Sequence, residues 1–386
     1  MLLGFATYSA CAIKERELEM LNFAVGPVPS DAAVKAIGGE DSPYFRTPEF
    51  SSVMLENESM LCSLANAPKG SRAIFLTSSG TGAMETAIMG LLDPLRDKAL
   101  VVDGGSFGRR FREMLTLHGI PHSAIELEPG CPLTLNDLAS IDGSYTVFLV
   151  NLGETSQGVL YDADLIGQFC RNRGLFLIVD GISSFLADPF DMESMGADVL
   201  ITDAQKALAC PPGVAPMVLA PAALSRAESV AQPCMYFDLR SMLKNQERGQ
   251  TPFTPAVTTL LQIHARLSSL VAEGGATAAV EACAAMANDF RRRITESNLP
   301  LRMRLASPSN AVTYIDCPGI SAKALFDKLK NEYGIWLCPN GGKKADISFR
   351  VGHIGNHPLS DNALLVAALS DAIADMKHCG DGIVND

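Results

Sequence analysis

Lys206 and Asp180 are the residues of this chain whose types and settings most directly suggest chemistry. Asp180 closes the run Leu175-Phe176-Leu177-Ile178-Val179-Asp180, and Lys206 follows Val199-Leu200-Ile201-Thr202-Asp203-Ala204-Gln205. Each apolar run reads as a buried strand, so a carboxylate and an amine stand at the ends of two strands. The stretch after the lysine, Ala207-Leu208-Ala209-Cys210-Pro211-Pro212-Gly213, offers few charged neighbours. An amine in such a setting is biased towards its neutral, nucleophilic form and can condense with an aldehyde. A carboxylate facing a flat heteroaromatic ring can hold a protonated ring nitrogen. Standing alone, Asp180 reads as a helix cap or a sheet-edge hydrogen bonder, and Lys206 as a solvated loop residue.

A third feature gives the pair a context. Ser78-Ser79-Gly80-Thr81-Gly82 runs from a strand into a helix. Glycines there let backbone N–H groups approach an anion, and the helix N-terminus adds positive potential. The Ser79 and Thr81 hydroxyls can donate as well, and the alternative is an N-cap with a tight turn. The loop is not a nucleotide-binding P-loop, because no Gly-Lys-Ser/Thr follows, and it lacks the G-x-G-x-x-G dinucleotide spacing. An amine for an aldehyde, an acid for a ring nitrogen and a cradle for a phosphate are together what pyridoxal 5'-phosphate requires. Gln205 is a natural extra phosphate donor. Phe107, flanked by glycines in Gly104-Gly105-Ser106-Phe107-Gly108, can stack on a flat ring. Thr155, in Glu154-Thr155-Ser156-Gln157-Gly158, can bond on the ring's hydroxyl side or form a local turn. Arg350 lies inside an apolar strand, where its fork geometry matches a carboxylate or a structural ion pair. Arg46, in an early loop, reads as a second anion contact or a loop salt bridge.

These side chains need a scaffold that brings strand ends together. Short apolar runs at 73–77, 99–102, 123–127, 146–150, 175–179, 199–202 and 215–219 alternate with amphipathic segments at 83–92, 109–118 and 164–173. That alternation predicts an α/β fold with a buried, mostly parallel seven-stranded sheet, whose sites lie at the carboxyl ends of the strands. A helix is expected over 49–64. Beyond 256 the pattern changes to a long helix pair at 257–297. Strands follow at 311–316, 334–337 and 347–351, with helices at 321–332 and 361–376. The expected organisation is an extension at 1–20, disordered and with Met20 as a plausible second start, a large cofactor domain at 21–256, and a smaller α+β domain at 257–386.

Composition narrows the function class. The chain has 386 residues, 47% hydrophobic and 19% charged, with a net charge of -12. The length supports a large core, and the acidic balance argues against nucleic acid or anionic membranes as partners. No apolar run reaches membrane-span length. The 10 cysteines are scattered without a C-x-x-C pair, so no metal site is expected, and a reducing cytoplasmic setting fits them.

Eight segments, in order, resemble the class V pyridoxal-phosphate-dependent aminotransferases of fold type I, across roughly residues 21–377. They are Asn22-Phe23-Ala24-Val25-Gly26-Pro27, Phe45-Arg46-Thr47-Pro48-Glu49-Phe50, Ser79-Gly80-Thr81-Gly82-Ala83-Met84-Glu85, Glu154-Thr155-Ser156-Gln157-Gly158, Asp180-Gly181-Ile182-Ser183-Ser184, Asp203-Ala204-Gln205-Lys206, Thr251-Pro252-Phe253-Thr254-Pro255 and Phe349-Arg350-Val351-Gly352. The resemblance implies that Lys206 holds the cofactor as a Schiff base. It implies that Asp180 pairs with the pyridine nitrogen, with Phe107 and Ile182 on the two ring faces. Gly80, Thr81 and Gln205 would bind phosphate, and Arg350 the substrate carboxylate. It further implies a homodimer with shared active sites, in which Thr251 and Thr254 reach the neighbouring subunit's phosphate. The implied activity is ping-pong transamination from a small donor of the alanine, serine or aspartate type to a 2-oxo acid such as glyoxylate or pyruvate. The alternative is a 2-aminoethylphosphonate–pyruvate transaminase. A cysteine desulfurase would rest on Cys338, which lacks the Ser- and Ala-rich loop such enzymes carry. Two departures bear on the substrate and cofactor. Asp203 replaces a small or hydroxyl residue, and Thr251 stands where alanine–glyoxylate enzymes often have Tyr.

Overall fold

The computed structural model describes residues 20–379; the expected extension, apart from Met20, lies outside them. Seven strands form the central sheet: β1 (Arg72–Leu76), β2 (Ala99–Asp103), β3 (His122–Glu126), β4 (Val147–Asn151), β5 (Phe176–Asp180), β6 (Val199–Ile201) and β7 (Ala215–Leu219). Their order across the sheet is β1-β7-β6-β5-β4-β2-β3. β7 runs antiparallel to both neighbours, and the other pairs are parallel.

Alternate residues of each strand feed opposite faces. Phe148 and Val150 of β4 join a core with Leu177, Val179 and Leu200, while Val147 and Leu149 join another with Phe176, Ile178 and Ile201. Burial on both faces is why these strands read as unbroken apolar runs rather than as alternating ones. Register sets β5 beside β4 and β6, with Asp180 opposite Asn151 on one side and Ile201 on the other.

The helices that follow the strands are α2 (Gly80–Leu91), α3 (Ser106–Leu117) and α4 (Ala163–Arg173), preceded in the chain by α1 (Pro48–Leu64). Thr47 caps α1 by accepting from the Phe50 amide, with Pro48 in the first turn, so the expected helix starts on a sequence-encoded signal. Helices α5 (Val257–Ala272) and α6 (Gly275–Ser297) meet at 90° across the Glu273–Gly274 break.

The C-terminal part has its own sheet, β8 (Arg302–Met303), β9 (Val312–Asp316), β10 (Cys338–Pro339) and β11 (Ser348–Gly352), in the order β8-β9-β11-β10. Helices α7 (Ala322–Tyr333) and α8 (Ser360–Cys379) cover it around Phe290, Leu325, Phe349 and Leu369. The start of the chain reaches this part: Leu21 and Asn22 pair in parallel with Ile335 and Trp336. Among the described residues, no single helix is long and apolar enough to cross a membrane.

Candidate active site

Lys206 and Asp180 line one cavity of about 160 Å³, at the carboxyl ends of the parallel strands. Ser79, Gly80, Thr81, Phe107, Thr155, Ile182 and Gln205 line it too. Nine of the predicted site residues therefore converge on one small space, although they come from five segments of the chain.

The cavity's two charged ends differ in setting. Asp180 is buried, and its Oδ1 accepts from the Ile182 amide at 2.8 Å. Burial pushes its carboxyl up to about 7, with the Glu154 charge adding to the effect and Arg110 and Lys206 opposing it. Lys206 is partly buried, and desolvation holds its amine below the usual lysine value against the pull of Asp203. Its Nζ donates to the Val25 carbonyl at 2.7 Å. Gly26, at φ +129°, permits that approach: a Cβ there would lie 2.8 Å from Lys206 Nζ.

Side chains fix the cavity walls. Gly80 opens α2, and a Cβ there would come within 2.4 Å of Ile182 Cδ1. Thr155 donates to Ser183 Oγ at 2.6 Å. Glu154, buried, accepts from the Phe107 and Gly108 amides at 3.2 Å each and from Asn151 Nδ2 at 2.9 Å, so it anchors the start of α3 and with it the Phe107 ring. Arg110 also lines the cavity, donating to Thr81 Oγ1 at 2.9 Å with its guanidinium 5.0 Å from the Phe107 ring centre. Neither Glu154 nor Arg110 was anticipated in these roles. The i, i+3 spacing from Phe107 placed Arg110 on the same helix face. No local signal linked Glu154 to a helix far earlier in the chain.

Arg350 lies on β11 and lines a second, adjoining cavity of about 350 Å³, with Arg109, Lys344, Ser156 and Asn340. Its Nη1 donates to the Thr155 carbonyl and its Nη2 to the Pro339 carbonyl, both at 3.3 Å, and its buried Nε has no partner. Both bonds are long, and the guanidinium carries no carboxylate partner among the described ion pairs.

Three expected site residues lie elsewhere on this chain. Arg46 is exposed and donates to Gln250 Oε1 at 3.1 Å and to the Thr251 and Pro252 carbonyls at 2.8 and 3.2 Å. Thr251 donates to the Phe253 carbonyl at 2.7 Å, and Thr254 is exposed. None of the three lines the cavity: Arg46 reaches across from the loop before α1 to the 250–252 stretch, where Thr251 is buried. Among the described residues, no group of His, Cys, Asp and Glu could hold a metal ion. Cys338 sits in β10 opposite Arg350, not in a loop.

A mixed seven-stranded sheet with a lysine and an acid at the carboxyl ends of its strands, followed by a small α+β part, is the fold type I architecture. The solved structure of alanine–glyoxylate aminotransferase from Nostoc sp. shares this fold at a TM-score of 0.85, with 24% identity over 93% of this chain and 97% of that one. The aminotransferase class-V family matches residues 44–352, and this chain belongs to it. Among relatives, the soluble hydrogenase 42 kDa subunit of Anabaena cylindrica is 29% identical over 92% of this chain and 93% of its own length. The 2-aminoethylphosphonate–pyruvate transaminase of Burkholderia thailandensis is 34% identical over 77% of this chain and 82% of its own. The chain is an aminotransferase.

Proposed function

We propose that this aminotransferase uses pyridoxal 5'-phosphate to move an amino group from a small donor of the alanine, serine or aspartate type to a 2-oxo acid such as glyoxylate or pyruvate. One observation carries the reading. Asp180 is a buried acid with no cationic partner among the described ion pairs, and it faces Lys206 across a cavity that glycine backbone and an aromatic ring enclose. A protonated ring nitrogen supplies the missing charge, so the residues present fit the cofactor.

When bound, the cofactor contributes a ring that draws electrons from the donor's Cα. The protein's own groups do the rest. Desolvation favours the neutral form of Lys206, the residue that would hold the cofactor's aldehyde carbon and would carry the proton to and from the substrate Cα. Asp180 would hold the protonated ring nitrogen, and that pairing would keep the ring electron-poor. Phe107 and Ile182 confine the ring faces, and Thr155 with Ser183 stands beside its oxygen. The Ser79-Gly80-Thr81 backbone turn and Gln205 receive the phosphate. Arg350 receives the substrate carboxylate, and both substrates use it in turn.

The protein acts as a homodimer in this reading, with Thr251 and Thr254 entering the partner's phosphate site and Arg46 holding the 250–252 segment that carries them. A cytoplasmic setting accords with cysteines that are free among the described residues.

A second reading has its own support. Arg109, Lys344 and Arg350 set three cations around the larger cavity, which suits a doubly charged phosphonate, and the Burkholderia thailandensis relative is named for such a donor. A half-reaction screen tests both. The protein, incubated with pyridoxal 5'-phosphate, is mixed with alanine, serine, aspartate or 2-aminoethylphosphonate, and loss of its visible absorption is followed. Amino-acid donors bleaching the band fastest supports the first reading, and 2-aminoethylphosphonate doing so supports the second. Failure to acquire any visible band overturns both.

A further inference from the structure

Asp203 occupies a position at odds with the phosphate role of its neighbours. Its Oδ2 accepts from the Gly80 amide at 2.7 Å and from Gln205 Nε2 at 2.6 Å, and its Oδ1 accepts from the Ala204 amide at 3.1 Å. The side chain is 3% exposed, so these bonds are made away from bulk water. Gly80 is where the backbone comes closest: a Cβ there would lie 2.8 Å from Asp203 Oδ2. Gln205 is oriented by the same acid, since its amide nitrogen is turned to Asp203 while its buried Oε1 has no partner. Two of the donors that a phosphate at the start of α2 would use, the Gly80 amide and Gln205 Nε2, are thus already held by a carboxylate of the protein itself.

A phosphate monoester arriving at this end of the cavity meets a like charge on the same donors. Lys206 attracts Asp203 but is committed to the aldehyde end in the reading above, and Arg110, donating to Thr81 Oγ1, is the other cation lining the cavity. An anion competing with an anion for buried N–H groups is strongly disfavoured.

We propose that Asp203 is an internal stand-in for the cofactor's phosphate, which holds the Gly80 amide and Gln205 and must release them when a phosphorylated cofactor enters. The inference rests on the cofactor assignment above. It makes this enzyme one that holds its cofactor weakly and exchanges it, with Asp203 as the residue setting the affinity. An unphosphorylated pyridoxal ring meets no such competition.

The test uses the full chain stripped of cofactor, as native protein and as D203N and D203S. D203N keeps an acceptor for the Gly80 amide and so preserves the local fold, and D203S supplies an independent check. Affinity for pyridoxal 5'-phosphate and for pyridoxal is measured by visible absorbance. Both variants are expected to bind the phosphorylated form roughly tenfold more tightly than native protein, with pyridoxal affinity unchanged within about twofold. Inorganic phosphate is expected to raise the melting temperature of both stripped variants more than that of the native chain. Equal affinity of all three proteins for pyridoxal 5'-phosphate, or an equal gain for pyridoxal, overturns the proposal. If no protein develops a visible band, the cofactor assignment fails. The phosphate measurement still judges Asp203 in that case, and equal stabilisation of native and variant proteins overturns its role.

Discussion

Asp180 and Asp188 are two buried acids eight residues apart, and their surroundings are opposite. Asp188, 1% exposed, accepts from Ser309 Oγ and from the Asn310 amide, both at 2.6 Å, with Arg291 offsetting its charge. Both partners stand just before β9, so Asp188 ties the end of the large sheet's connection to the C-terminal part. Asp180 has a single backbone donor and faces a cavity. Burial raises both carboxyls, to about 6 and about 7. The shift alone does not separate them. What separates them is their partners: Asp188 is bonded on both oxygens within the protein, whereas Asp180 has one backbone donor and borders a cavity.

Replacing the lysine opposite Asp180 is the severest test of that distinction. Lys206→Ala is expected to lower turnover by at least about 10³-fold and to remove the visible band that borohydride would trap, with an unchanged melting profile for stripped protein. Retained activity would return Lys206 to an ordinary loop role. Next come the two acids themselves. Asp180→Asn should lower kcat by roughly 10²-fold while leaving stripped protein as stable or more so. Asp188→Ala should cost on the order of 2 kcal/mol of stability with little change in kcat. Matching effects from the two variants would abolish the contrast.

The pH dependence follows from the same shifts. Between 3.8 and about 7, the folded chain keeps a proton on Asp180 that the unfolded chain has released. Stability of stripped protein therefore falls as pH rises through that window, and Asp180→Asn should remove that part of the slope. Asp188 contributes a slope of the same sign up to about 6, which its own variant should remove. Denaturant midpoints across this range provide the measurement.

Smaller effects lie further out. Arg350→Ala should raise KM for carboxylate substrates by roughly 10- to 100-fold with little change in cofactor affinity. Equal loss of both would reassign Arg350 to holding Thr155 and Pro339. Cys338→Ser should change turnover by less than about threefold, and loss of activity on that change would revive a thiol-based reaction.

The strand ends were legible because burial on both sheet faces writes itself as unbroken apolar runs, and Asp180, Lys206 and the Ser79-Gly80-Thr81 turn stand where such runs stop. The expected helix over 49–64 carries its own cap and proline. The antiparallel direction of β7 was not legible, since both orientations bury the same side chains. The two-residue hairpin strands at Gly153–Glu154 and Val159–Leu160 are too short to show a period. Glu154 anchors Phe107 across 47 positions of sequence, a contact that only the assembled fold creates. Thr251, Thr254 and Arg46 matched motifs but lie away from the cavity, with Arg46 bonded to the Gln250 side chain and to the Thr251 and Pro252 carbonyls.

The opening segment carries a further consequence. Phe23 accepts from the Gly352 amide at 2.7 Å and donates to the Trp336 carbonyl at 2.8 Å, and two residues later Val25 receives Lys206 Nζ. A short leash of backbone thus couples the C-terminal sheet to the reactive amine. Displacing Phe23 from those two partners would shift the carbonyl on which Lys206 Nζ rests, so the position of the amine is tied to how the first described strand pairs with the C-terminal part.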